Sequence, residues 1–242
     1  MQNVAGVAAV IPAAGVGSRM GLSEPKQYLQ LAGQTVLEHS VAAVISDARV
    51  QAVYIAIAAD DQRVTSLNFN SHCDIHFVQG GSSRAASVLA GVKQAQMDGF
   101  TTVVVHDAAR PCLQPDELSA VISAGLSNAD GAILALPLAD TVKRARRDDS
   151  EVLKRIATTV ARDNLWRALT PQVFGAERLC QALEQLGVDN PLITDEASAI
   201  ELLGGHPLLV PGRQTNIKIT QPGDEQLAAL YLTTLFKEPT CV

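Results

Sequence analysis

Uncharged apolar runs recur along this chain, each emptying into a turn of small, glycine-containing or polar residues. Val4 to Ile11 carries no charge and no period-2 alternation, the pattern of a parallel strand covered on both faces. Val50 to Ala58, Asp74 to Val78, Thr101 to Val105 and Gly131 to Leu136 read as further strands. Helical patterns fall between them. Thr35-Val36-Leu37-Glu38 is a capping box opening a helix with Leu37, Val41, Val44 and Ile45 on one face. A brief, weakly helical stretch covers Asp61 to Leu67. Gly80-Gly81-Ser82-Ser83-Arg84 leads into a helix that turns Val88, Leu89 and Val92 toward the core, with Ser82 as its expected cap. Another helix starts near Pro115. The repeating order predicts an α/β fold over 1–242: a single Rossmann-like domain, a mostly parallel twisted sheet flanked by helices.

The texture changes after Pro137. Thr141-Val142-Lys143-Arg144-Ala145-Arg146, a polar turn through Asp148-Asp149-Ser150, and Val152 to Val160 read as a charged β-hairpin too polar for the sheet interior. Exposed strand pairs are marginal alone, so a protruding arm at about 138–163 is expected to pack on another subunit, with a substrate flap as the alternative. Asp163 to Leu169 reads as a short helix with Trp166 as a core anchor, and Thr170 to Phe174 as an extended segment. Leu179, Leu183 and Leu186 mark a helix stopped by Gly187, and Thr194-Asp195-Glu196-Ala197-Ser198 opens another. Pro207 to Val210 and Asn216 to Ile219 read as late strands, the second placing Lys218 opposite Ile217 and Ile219, in solvent or in a site. Asp224 to Phe236 reads as a closing helix.

The 242 residues suffice for one large α/β domain, and the net charge of -6 argues against a general nucleic-acid surface. The first apolar run is interrupted by Pro12 and Gly15, so it reads neither as a secretory signal nor as a membrane span, and a cytoplasmic protein is expected. Cys73, Cys112, Cys180 and Cys241 include no C-x-x-C pair. His72 and His76 bracket Cys73 without a second ligand cluster, which reads as an ordinary connector.

The candidate chemistry lies where strands end. Pro12 is expected to end the first ladder, after which Ala13, Ala14, Gly15 and Gly17 let the main chain approach a phosphate closely, and Arg19 and Lys26 add fixed positive charge. Met20 replaces the third glycine of a dinucleotide fingerprint, and a Walker G-K-[ST] is absent. Asp107, at the end of the Thr101 to Val105 strand, shares the carboxyl edge with that loop. A carboxylate facing phosphates makes sense with a cation between them, so Asp107 is the candidate ligand for Mg²⁺ or another divalent ion, a helix cap being the plainer alternative.

Several separated stretches then match one family. Pro12-Ala13-Ala14-Gly15-x-Gly17-x-Arg19-Met20, Pro25-Lys26-Gln27, Gly80-Gly81-x-x-Arg84-x-x-Ser87-Val88, Val105-His106-Asp107-Ala108-Ala109-Arg110-Pro111, Thr170-Pro171-Gln172, Thr194-Asp195-Glu196-Ala197 and Asn216-Ile217-Lys218 occur in order. The chain closely resembles the 2-C-methyl-D-erythritol 4-phosphate cytidylyltransferases of the non-mevalonate isoprenoid pathway, over nearly its whole length. The resemblance implies that CTP and 2-C-methyl-D-erythritol 4-phosphate are converted to 4-diphosphocytidyl-2-C-methyl-D-erythritol and pyrophosphate by a Mg²⁺-assisted homodimer joined through the arm. It implies that Ala13, Ala14, Gly15, Gly17, Arg19 and Lys26 hold the triphosphate, that Pro12 belongs to the same nucleotide site, and that Gly81 and Ser87 read the cytosine. Asp107 matches the metal ligand. Asp107, Arg110, Thr141, Thr170, Thr194 and Lys218 match acceptor-site positions, and Arg162 an arginine delivered by the partner's arm. Arg19, Lys26, Arg162 and Lys218 are the implied catalytic set. Ser82 and Ala86 stand where relatives can carry acidic residues, which leaves base contacts there to the main chain or Ser87. A ribitol 5-phosphate cytidylyltransferase, a nucleotide-binding regulator and an NAD-dependent oxidoreductase are the competing readings; Met20 speaks against the last.

Overall fold

The computed structural model describes residues 6–15, 25–147 and 153–235. Gly17 and Arg19, the Asp148-Asp149-Ser150 turn and the end of the closing helix at Phe236 lie outside the described residues.

Strand β1 (Val7–Pro12) is followed by a short hairpin, β2 (Gln30–Leu31) and β3 (Gln34–Thr35), then α1 (Val36–Val44), β4 (Val50–Ile57) and β5 (Asp74–Gln79). The middle carries α2 (Arg84–Met97), β6 (Thr102–Val105), α3 (Pro115–Ser127) and β7 (Ala132–Pro137). The hairpin β8 (Val142–Ala145) and β9 (Ile156–Val160) precedes β10 (Trp166–Gly175), α4 (Ala176–Leu186), α5 (Glu196–Leu202), β11 (Leu208–Pro211) and α6 (Asp224–Leu235).

Seven strands form one sheet in the order β11-β7-β10-β6-β1-β4-β5. β10 alone runs antiparallel to its neighbours β6 and β7, and the other pairings are parallel. The lack of alternation in β1 has a direct cause, because Val7, Ala9 and Ile11 pack under α1 and α3 while Ala8 and Val10 pack under α2 and α4. Both faces are dry. Helix starts follow local chemistry: Thr35 and Glu38 form the expected capping box, and Gly187 ends α4 at φ +79°.

Pro12 is the last paired residue of β1, opposite Ala56, and the Ala13 N–H completes that pairing by donating to the Ala56 carbonyl. Three local expectations are corrected. The cap of α2 is Ser83, whose hydroxyl accepts from the Ala86 N–H, rather than Ser82. Residues 163–169 are not helical. Asn164 takes a positive φ of 62°, and the chain then pairs Trp166 with Pro137 and Arg167 with Leu136, so Trp166 stands 37% exposed instead of anchoring the core. Asn216 to Ile219 forms no strand. It is held instead by the Asn216 amide donating to the Thr170 carbonyl, by the Ile219 N–H donating to the Ala109 carbonyl, and by burial of Ile219 against Ala109, Cys112 and Ala228.

In the arm, Val142 pairs with Val160 and Lys143 with Thr159, and the two strands form a sheet of their own. No helix among the described residues is long and apolar enough to cross a membrane.

Candidate active site

The carboxyl ends of β1, β5 and β6 converge on one edge, as open α/β sheets arrange their ligand crevices. The β1 loop reaches it through Ala13, Ala14 and Gly15. Gln27, buried behind the loop, donates from Nε2 to the carbonyls of Ala13 (2.8 Å) and Gly15 (3.3 Å). Tying carbonyls backward leaves N–H groups free to face an anion. Lys26 borders the same cleft and donates from Nζ to the Ile219 carbonyl at 2.9 Å.

Opposite lies the turn between β5 and α2. Ser87 donates to the Ser83 carbonyl (3.0 Å) and accepts from the Gly81 N–H (3.2 Å), so the turn is pinned from within. A Cβ on Gly80 would fall 2.6 Å from the Ala14 Cβ, which explains why the two loops can touch only with glycine there. Together these walls enclose a cleft of about 290 Å³, lined also by Pro12, Asp107 and Lys218.

A second cleft of about 260 Å³ adjoins it, lined by Arg110, Thr170, Thr194 and Asp195. The two share Arg84, Asp107 and Lys218. Asp107 is buried and gathers three cations: Arg84 Nε at 3.2 Å on Oδ1, with Arg110 Nε at 3.2 Å and Lys218 Nζ at 2.9 Å on Oδ2. Burial alone would raise its pKa; the charges of Arg84, Lys218 and Arg110 outweigh that and hold it well below the usual carboxylate range. Asp107 is thus an ion-pair hub and not a helix cap; α3 is capped by Gln114 and Glu117. Its backbone is fixed as well, because its N–H donates to Thr170 Oγ1 (3.1 Å), whose hydroxyl faces Nδ1 of the buried His106 (3.0 Å). Nε2 of His106 lies 3.0 Å from the Arg110 carbonyl, which can only accept, so the ring proton sits there and Nδ1 accepts from Thr170.

The lone pairs of Asp107 limit how a divalent cation can bind here. Oδ2 of Asp107 uses two and Oδ1 one, which leaves room for a single bond. Among the described residues no three His, Cys, Asp or Glu side chains cluster as a cage. The site fits an ion that arrives with a polyphosphate and takes one protein carboxylate, the usual habit of Mg²⁺.

The family model described as IspD: 2-C-methyl-D-erythritol 4-phosphate cytidylyltransferase matches residues 7–234. The chain belongs to that family. It is a nucleotidyltransferase of the cytidylyl-transferring type. The 2-C-methyl-D-erythritol 4-phosphate cytidylyltransferase of Idiomarina loihiensis is 51% identical over 219 residues, covering 89% of this chain and 87% of its own. That of Klebsiella pneumoniae is 49% identical, covering 94% of each. Among solved structures, a 4-diphosphocytidyl-2C-methyl-D-erythritol synthase superposes with a TM-score of 0.79 at 35% identity, covering 94% of this chain and 98% of the other. The Francisella tularensis cytidylyltransferase gives 0.76 at 31%, covering 93% and 99%.

Against the residues implied by the family likeness, the structure brings Pro12, Ala13, Ala14, Gly15, Lys26, Gly81 and Ser87 to the first cleft. Arg110, Thr170 and Thr194 line the second. Thr141 and Arg162 line neither cleft of their own chain; both are exposed on the arm side, where the Arg162 guanidinium donates to the Ala139 carbonyl. Sequence reasoning missed Gln27 as a loop brace and Glu196 as the partner of Arg84, although both sit inside quoted motifs.

Proposed function

We propose that this chain transfers the cytidylyl group of CTP to the phosphate of 2-C-methyl-D-erythritol 4-phosphate, giving 4-diphosphocytidyl-2-C-methyl-D-erythritol and pyrophosphate. The observation that carries the reading is the shared wall. Two adjacent clefts meet at Arg84, Asp107 and Lys218, as an in-line transfer between two bound phosphates demands.

An acceptor phosphate oxygen forms the new bond to the α-phosphorus of CTP while the bond to the pyrophosphate oxygen breaks. The nucleophile is already an anion, so no general base is needed, and the side chains act by neutralising and aligning charge. Lys26, with Arg19, meets the charge that grows on the leaving pyrophosphate. Lys218 and Arg110 hold the attacking phosphate, and Thr194 its acceptor molecule. Around the wall, four cations (Lys26, Arg84, Arg110, Lys218) stand against three carboxylates (Asp107, Asp195, Glu196), a small local excess that suits polyphosphate within an acidic chain. When Mg²⁺ is bound, Asp107 and phosphate oxygens of CTP would hold it, and it supplies further neutralisation of the triphosphate.

The arm joins two copies and places Arg162, with Thr141 nearby, at the acceptor cleft of the partner. Two features support this: neither residue lines a cleft of its own chain, and Leu153 and Ile156 on the arm are 82% and 63% exposed. The reaction is assigned to the cytoplasm, supported by described cysteines that are all free thiols.

Mg²⁺-dependent pyrophosphate release tests the reading, run with CTP, ATP, GTP and UTP against 2-C-methyl-D-erythritol 4-phosphate and ribitol 5-phosphate. Release confined to CTP with 2-C-methyl-D-erythritol 4-phosphate is expected. Preference for ribitol 5-phosphate would keep the mechanism and replace the acceptor; no release from protein that still binds CTP would overturn the assignment.

A further inference from the structure

Arg84 stands on the first turn of α2, directly after the Gly80 to Ser83 turn of the nucleotide cleft. Glu196 opens α5, two residues after Thr194 of the acceptor cleft. The guanidinium of Arg84 grips Glu196 with both ends of its fork, Nη1 to Oε1 at 2.6 Å and Nη2 to Oε2 at 3.0 Å, while its Nε reaches Asp107 Oδ1 at 3.2 Å. One planar cation therefore ties together the starts of α2 and α5 and the end of β6. Glu196 is 1% exposed and lines neither cleft, so a bound ligand meets Arg84 and never Glu196. Well-packed apolar side chains can match a buried ion pair in stability. The fork geometry, on the other hand, gives an orientation that packing alone does not.

We propose that Glu196 is a positioning residue for the transfer, acting through Arg84: it fixes the guanidinium at the partition between the clefts and so sets the spacing of the nucleotide and acceptor loops and the orientation of Asp107. The neighbouring contacts point the same way. Gln172 holds the same helix start, donating to Asp195 Oδ2 (2.8 Å) and accepting from the Ala197 N–H (3.0 Å). The amide of Gln172 anchors α5 to the sheet, and Glu196 sets where α5 stands relative to α2. This inference rests on the assignment of the two clefts to CTP and the acceptor phosphate.

Glu196→Gln tests it, since the amide keeps the shape and one acceptor but releases the charge-assisted fork. Thermal melting, calorimetric titration with Mg²⁺ and CTP alone, and steady-state kinetics are measured on the full chain. The expected result is a melting temperature and CTP affinity close to wild type, with kcat lowered roughly tenfold or more, as misplacement of reacting groups by about 1 Å would cause. Arg84→Lys, whose point-like ammonium cannot reproduce the planar two-pronged grip on Glu196 together with the Nε contact to Asp107, is expected to give the same pattern. The double variant is expected to be no worse than the more damaged single one, because both act along one path. Unchanged kcat in Glu196→Gln overturns the inference, as does additive loss in the double variant or loss that simply follows unfolding. Failure of the wild type to turn over these substrates would instead overturn the cleft assignment, so the two outcomes are separable.

Discussion

His106 connects the chemistry of one side chain to the pH range in which the site holds together. It is fully buried, its two ring nitrogens are both engaged by a neutral ring, and burial pushes its pKa down to about 4. An unfolded chain takes up that proton near pH 6.5. The unfolded state therefore binds more protons between about pH 6.5 and 4, and stability present above that window is lost as pH falls through it, by about 3 kcal/mol for the full shift. Comparing urea unfolding of wild type and His106→Gln across this range checks it: the variant is less stable at pH 7, and the gap narrows toward pH 4. A gap that stays constant with pH would show that His106 does not titrate in this way. At this scale the sequence exposed residues whose neighbours along the chain define them. Asp107 after a β-branched run and Lys218 between two isoleucines could both be picked out. Glu196 could not be matched to Arg84, because 112 positions separate them and only folding brings a fork and a carboxylate face to face.

Among the elements, the hairpin of β8 and β9 makes the sharpest prediction. If it carries Arg162 into a neighbouring copy, Lys26→Ala and Arg162→Ala chains are each nearly inactive alone, Lys26→Ala by a hundredfold or more on the order of a lost oxyanion donor. Mixed after subunit exchange, they complement, because one site of each hybrid keeps both side chains. Random mixing predicts recovery of about a quarter of wild-type activity. No recovery with exchange proven by mass spectrometry would place Arg162 in cis or outside the reaction. Strands with buried β-branched runs were legible, as was the β8–β9 hairpin, whose polarity sets it apart. Trp166 was misread because Leu165, Trp166 and Leu169 mimic a helical face, whereas pairing with Leu136 and Pro137 decides the conformation and no local pattern reports it. Asn216 to Ile219 failed for the opposite reason: alternating apolar residues look like a strand, but their hydrogen bonds go to the Ala109 and Thr170 carbonyls instead of a ladder.

For the whole molecule, the α/β class followed from the repeating order of runs, but the strand order did not. Nothing in residues 166–175 announces that β10 enters upside down between β6 and β7. That inversion has a further consequence. β7 and β10 are hydrogen-bonded neighbours that are also consecutive in the main sheet, and Pro137 already faces Trp166 across their ladder, with the Leu138 N–H bonded to the Leu165 carbonyl. Topologically, everything from 138 to 165 is the loop of a hairpin, and loop length weighs little on stability. Replacing it with a tight turn should leave a cooperatively folded monomer that melts within a few degrees of the parent and still binds CTP, yet turns over poorly for want of Arg162. Calorimetry with sedimentation velocity would show it, and a chain that fails to fold would mean the appendage braces the sheet. A folded, CTP-binding product would mean that the appendage can be lengthened, exchanged between homologues or excised without rewriting the sheet and the nucleotide cleft.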